Sequence, residues 1–291
     1  MTPKQANGAA EGMYRGSIVV SEYMDHISKD VLGTLIDPKP RENAQYGMFL
    51  RAVAWMRTLK KLNQPTDFQG VVACNRSLLE IAVDTILLHG DPGESSAWKM
   101  HWWEQSAKLK AAKMLVDYYA KQGLPVPDSY SEQAGFVARD EEAITRMRKT
   151  LWPQFKGKHP ARWTGETLDK GVRAADKYWP DEIVATFGTS LTEFYETEYR
   201  KMNWSVHGSG LAGVRDLSAI AFHYLCGLGH KWSSDLAMLS TKTVLIDFGF
   251  ATYLPDFATK WEEVRERRLL VYADSVGLLA NGELRSEPRE Y

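Results

Sequence analysis

Val71-Val72-Ala73-Cys74-Asn75-Arg76-Ser77-Leu78-Leu79-Glu80-Ile81-Ala82-Val83-Asp84-Thr85-Ile86-Leu87-Leu88 is the stretch on which the fold reading turns. Twelve of its eighteen residues are apolar, and a helix that is apolar all round is a buried one. Arg76, Glu80 and Asp84 nevertheless stand four apart, on one face. Buried charges must be paired or they cost several kcal/mol, on the order of 3 or more. Two readings follow. One is an architectural Arg76–Glu80 pair that also bonds a neighbouring helix. The other is a charged stripe bordering a functional cleft.

Helical spacing recurs on either side. Tyr46, Phe49, Val53, Met56 and Leu59 fall at steps of three or four. Sustained strand alternation and hairpin dipeptides between β-branched runs are missing from the sequence. Turn signals lie at Asp37-Pro38-Lys39-Pro40, Gly90-Asp91-Pro92-Gly93, Gly123-Leu124-Pro125-Val126-Pro127 and Lys158-His159-Pro160. They mark helical segments near 14–37, 44–63, 66–89, 94–122, 131–151, 164–178, 182–208, 214–250 and 256–273. The expected architecture is all-α, a multi-helix up-and-down bundle with one domain over 14–276. Residues 1–13 are polar and small and are expected to be flexible, as is the tail 277–291. The ten tryptophans most simply fill core volume.

Composition narrows the function classes. The 291 residues are 44% hydrophobic and 25% charged, and Lys plus Arg 36 against Asp plus Glu 37 leaves a net charge of -1. That is an ordinary globular balance with no global basic field. Two cysteines, Cys74 and Cys226, exclude a disulfide scaffold and favour a reducing compartment. The residues from Met1 to Gly12 lack the apolar core of a signal peptide, and the longest apolar stretch, Leu217 to Gly229, is too short to span a bilayer. A cytoplasmic protein without a membrane partner is the expectation.

The segment 182–208 carries the candidate chemistry. At 100° per residue, Ile183, Phe187, Leu191, Phe194 and Met202 make one apolar stripe, while Glu193, Glu196, Arg200, Asn203 and His207 lie on the opposite face. Arg200 and His207 are two turns apart, about 10 Å along the axis, and their side chains can converge on one small anion. Arginine grips a phosphate with a planar, permanently charged fork. Histidine gives or takes a proton near neutral pH. Together they form a minimal kit for metal-free RNA cleavage, in which His207 is the general acid/base and Arg200 stabilises the phosphorane. A polar face opposite an apolar stripe is also what any surface helix presents.

The run Tyr195-Glu196-Thr197-Glu198-Tyr199-Arg200-Lys201-Met202-Asn203-Trp204-Ser205-Val206-His207-Gly208 resembles the Arg-x(4–6)-His helix of the HEPN superfamily. It is more closely similar to a set of all-helical bacterial proteins of unassigned function with a tyrosine, a small polar residue and a histidine spaced by four, here Tyr199, Asn203 and His207. Asn75-Arg76-Ser77-Leu78-Leu79-Glu80 resembles their buried Arg-x3-Glu helix. The similarity spans roughly 44–230, with extra helices outside it. It implies a helical-bundle core, often a homodimer with the Arg/His helices facing across a two-fold axis. It further implies, in active members, a metal-independent endoribonuclease of toxin or antiphage-defence systems that needs no cofactor. Asn203 and Tyr199 would orient the catalytic pair, with Arg76 and Glu80 in support. Lys201 stands where the most active members carry Asn or Asp directly after the arginine.

A second feature is the basic run 146–162. Arg146, Arg148, Lys149, Lys156, Lys158 and Arg162 stand there without an acid, interleaved with Trp152 and Phe155. This mix suits an RNA backbone plus base stacking, or a solvated connection between helices. His223, Cys226 and His230 share a helix face but lack a fourth metal ligand, so no metal is expected. Gly208-Ser209-Gly210-Leu211-Ala212-Gly213 follows a helix rather than a strand, which argues a helix end, not a dinucleotide loop. Arg265, Arg267 and Arg268, diluted by Glu262, Glu263 and Glu266, read as a solvated face. Three function classes remain: the ribonuclease, a non-catalytic nucleotide- or protein-binding helical module, and a structural member of a larger assembly.

Overall fold

A computed structural model describes residues 2–34, 39–91, 93–202, 219–276, 279–280 and 283–284. The chain is an all-α multi-helix bundle. Its helices are α1 (Pro3–Thr34), α2 (Pro40–Leu59), α3 (Phe68–Gly90), α4 (Ser95–Lys121), α5 (Ser131–Leu151), α6 (Leu168–Tyr178), α7 (Pro180–Phe187), α8 (from Leu191–Phe194 through a π turn at Tyr195–Tyr199 to Met202), α9 (Ala219–Asp247) and α10 (Leu254–Val276). Two two-residue strands, Leu279–Ala280 and Glu283–Leu284, pair antiparallel after α10.

The centre is the apolar helix α3, which packs against α9, α2 and α6. Thirteen of its residues are buried, from Val71 to Leu88. At roughly 2 kcal/mol for each buried Leu, Ile or Val, this one helix contributes a large part of the gross stabilisation. α9 lies along it with a polar seam. Asn75 Nδ2 donates to the Gly229 carbonyl (2.6 Å) and to Ser233 Oγ (3.0 Å), fixing the register between the two helices. The buried hydroxyls of Ser234, Ser240, Thr241 and Thr243 donate to carbonyls four residues back in α9, so they satisfy themselves locally.

Residues 3–13 are not a loose leader but the first turns of α1, which packs on α9 and α10. Ala6 and Ala10 are buried, and the small residues that read as flexibility serve close helix crossings instead. A Cβ on Gly12 would meet the Arg268 carbonyl oxygen at 2.6 Å, and one on Gly227 would meet Ala10 Cα at 2.6 Å. The opposing α10 is likewise less solvated than its charge pattern suggests. Arg265 and Arg267 are exposed beside Glu262 and Glu263, but Arg268 turns inward and bonds the buried Asp235 at 2.9 Å.

The segment expected as one helix over 182–208 is broken. Gly188 (φ +90) ends α7 in the left-handed conformation. Ser190 then caps α8, accepting from the Glu193 amide at 3.0 Å. Asp176 of α6 accepts from the Leu191 and Thr192 amides (2.8 and 2.7 Å), so a neighbouring helix holds the start of α8 in place.

Three helix ends, those of α2, α3 and α9, meet at Asp247, the last residue of α9. It accepts from His89 Nδ1 (2.7 Å), Arg41 Nη2 (3.1 Å) and Gln45 Nε2. Arg41 also donates to the Leu88 and His89 carbonyls and so closes the end of α3. Burial raises the Asp247 carboxyl, but bonds and charge from His89, Gln45 and Arg41 outweigh it and leave its pKa below the ordinary value. The sequence reading did not single out this junction.

Candidate nucleic-acid interface

α8 presents Arg200 to solvent. Its side chain is 60% exposed, bonded to Glu196 at 2.9 Å and lying over the Tyr195 ring at 5.5 Å. Glu196 is shared with Arg173 of α6, also at 2.9 Å. The π turn directly before Arg200 widens the helix by one residue, and Tyr199 ends up buried with its ring stacked on Tyr195, centroids 5.0 Å apart. Tyr199 is therefore a packing residue of this face. Asn203 and His207 lie outside the described residues, as does the glycine-rich run 208–213.

The charged stripe of α3 divides. Glu80 is exposed and Arg76 half-buried. Asp84 is buried and pairs with Arg162, which comes from the loop before α6. Burial lifts the Asp84 carboxyl to about 6 even though the Arg162 charge pulls the other way. The stripe thus carries one buried pair reaching across to another element, not a row of charges lining a cleft.

That pair also corrects the basic run. Arg162 is committed to Asp84 and leaves the set of residues expected to face RNA. Arg148 is half-buried, with Nη1 donating to Ser106 Oγ at 3.4 Å. Arg146, Lys149, Lys156 and Lys158 are exposed. The tryptophans are architectural. Trp152 and Trp163 are buried, and Trp152 Nε1 donates to the Trp163 carbonyl at 2.9 Å. Trp103 of α4 donates to the Pro160 carbonyl (2.9 Å) and stacks on His159, centroids 5.5 Å apart. The loop is thereby pinned to α4 with its lysines outward.

What the loop and helices build together is a groove of about 550 Å³ between α4 and α5. Its walls bring Lys110 and Lys113 together with Arg148, Lys158 and His159. Two acids, Asp117 and Glu141, also line it, and Glu141 is held by Lys113. The local field is positive. The His159 imidazole is held below its ordinary pKa by burial and then by the charges of Lys110 and Arg148. Between Ser95 and Arg162 the chain carries twelve Lys and Arg against seven Asp and Glu, although its overall charge is -1. Lys110, Lys113 and His159 were not among the residues expected from sequence. The signal for the two lysines was their shared face of α4, and it counts only once α5 is known to lie alongside.

No family model, curated protein or solved structure matches this chain. The resemblance to the HEPN helix is thus carried by its two motifs alone.

Of the three potential zinc ligands, His230 is occupied. Its Nε2 faces the Leu62 carbonyl (2.7 Å) and its Nδ1 the Ser17 hydroxyl (2.9 Å). Burial depresses its pKa to about 4. Cys226 points at the Gln64 carbonyl, and burial raises its thiol to about 11. Among the described residues, no group of three or more His, Cys, Asp or Glu is gathered for a metal, and no helix is long and apolar enough to cross a membrane.

Proposed function

We propose that this chain is an RNA-binding helical protein in which the groove between α4 and α5 receives the phosphate backbone. The supporting observation is the convergence there of Lys110, Lys113, Arg148, Lys158 and His159, on a part of a near-neutral chain with an excess of basic residues. Lysine and arginine on phosphate displace condensed counterions, so affinity falls steeply with salt. The choice of RNA comes from the HEPN-like resemblance of the runs 75–80 and 195–208. The test is fluorescence anisotropy on a labelled RNA across a salt series. A Lys110→Glu/Lys158→Glu variant binds more weakly and with a shallower salt slope. Equal affinity in wild type and variant removes the groove from the reading.

A second reading, metal-independent cleavage at Arg200 and His207, is favoured by an exposed Arg200 directly after a π turn, a feature frequent at functional sites. A homodimer pairing two such helices, and a toxin or antiphage role, belong to that reading. Its test is incubation of mixed RNA with wild type and His207→Ala in chelator. RNA that disappears equally with both, or with neither, sinks it.

A further inference from the structure

The α4–α5 hairpin continues past the groove to a tip that is unusually aromatic and exposed. Met114 on the groove wall is 66% exposed, and Tyr118, one turn further along α4, is 58% exposed. Tyr119 meets Tyr118 edge to face (5.3 Å) and leans on Tyr130 (6.3 Å), which opens the return helix and is itself 37% exposed. Large apolar rings left in solvent on a hairpin need an occupant. What distinguishes this patch is its continuity with the cationic groove. Lys110, Lys113, Met114, Asp117, Tyr118 and Lys121 follow one another along one side of α4. A protein partner's apolar surface would offer no counter-charge to Lys110 and Lys158, Lys113 alone being held by Glu141. A folded duplex would satisfy the lysines but has no unstacked base to lay on the rings.

We infer that the hairpin tip binds single-stranded nucleic acid, with phosphates along the groove and unpaired bases stacked on Tyr118 and Tyr130. Single-strand binders combine a positive groove tracking the backbone with aromatic faces that accept any base. From Trp103, stacked on His159 at one end, to Tyr118 at the other is fifteen residues of helix, roughly 22 Å. That length accommodates a short oligonucleotide. The inference rests on the RNA-binding reading and adds to it strandedness and a set of residues.

The test compares a labelled octanucleotide of uridine with an RNA duplex of eight base pairs, by anisotropy in chelator. Wild type prefers the single strand. Tyr118→Ala/Tyr130→Ala binds the single strand more weakly, by roughly thirtyfold or more, with an unchanged salt slope, because no phosphate contact is lost. Tyr118→Phe/Tyr130→Phe regains the affinity, since the ring and not the hydroxyl stacks. Lys110→Glu/Lys158→Glu weakens both RNAs and lowers the single-strand salt slope by about 1.4. All four side chains are at the surface, and matching melting curves establish that the variants are folded. If the lysine variant loses binding while the tyrosine-to-alanine variant binds like wild type, RNA binding survives and this inference is overturned. Equal affinity for strand and duplex overturns it too. If wild type binds neither RNA, the RNA-binding reading falls and this inference with it.

Discussion

Removing the Arg162 guanidinium separates architecture from ligand binding, and its cost follows from the Asp84 carboxyl it faces. Asp84 ionises at about 6 in the folded chain against 3.8 ordinarily. Folded Asp84 therefore holds its proton more tightly than unfolded Asp84, and stability falls as pH rises from about 4 through about 6. In wild type this amounts to about 3 kcal/mol at pH 7.5. In Arg162→Ala the buried carboxyl loses its counter-charge, and its pKa moves further up from about 6. Its penalty saturates near 5 kcal/mol, set by the distance from 3.8 to 7.5. The electrostatic increment is thus about 2 kcal/mol, and the lost hydrogen bonds and stem packing add about 1–2 more. A total of about 3–4 kcal/mol sits at the low end for breaking a buried pair. In a chain of this size it lowers the melting temperature by roughly 6–12 °C. At pH 5 Asp84 is mostly protonated in both proteins, and the difference shrinks to about 1–2 kcal/mol. Urea unfolding at both pH values is the assay. A loss of the same size at pH 5 and pH 7.5, or none at either, refutes the reasoning. The salt slope of RNA binding stays at its wild-type value, because Arg162 does not face the groove.

Three other outcomes are expected. The His230 imidazole, depressed to about 4, stays neutral in the folded chain, so its contribution of about 3 kcal/mol is present above pH 6.5 and is lost as pH falls through 4; NMR titration of the ring, protonated at Nε2 toward Leu62, reads this directly, and a midpoint near 6.5 contradicts it. Gly12→Val, whose Cβ would strike the Arg268 carbonyl oxygen, costs about 1–3 kcal/mol, while Gly47→Ala, helical with nothing within 4 Å of the new carbon, gains about 0.5–1 kcal/mol; thermal melts of the two move in opposite directions. Arg200→Ala changes stability by less than about 1 kcal/mol because its pair with Glu196 is solvent-screened, so any loss of RNA cleavage in a variant that melts like wild type reports on chemistry and not on folding.

Most of the helices were legible because breakers and apolar spacing agree, as they do for α2, α3, α4 and α5. The break at Gly188 was hidden because α7 and α8 bury their apolar residues in the same core. Ile183, Phe187, Leu191 and Phe194 keep one stripe across the interruption. The N-terminal turns were hidden because alanine and glycine read as looseness unless the opposing helix is known. The candidate interface was half legible. A run of basic residues is visible in sequence, but which of them faces solvent depends on partners such as Asp84, which lies 78 residues from Arg162.

The wide turn at Tyr195–Tyr199 has absorbed one residue more than an ordinary coil of the helix holds. Deleting any one residue there would return the winding to an ordinary α turn, and Arg200 and Met202 would keep nearly the sides they now present. Met202 would stay in the core it now fills. Two such chains could differ in length by a single position at this point and yet present the same sides of the rod, so their comparison has to proceed by coils, not by letters.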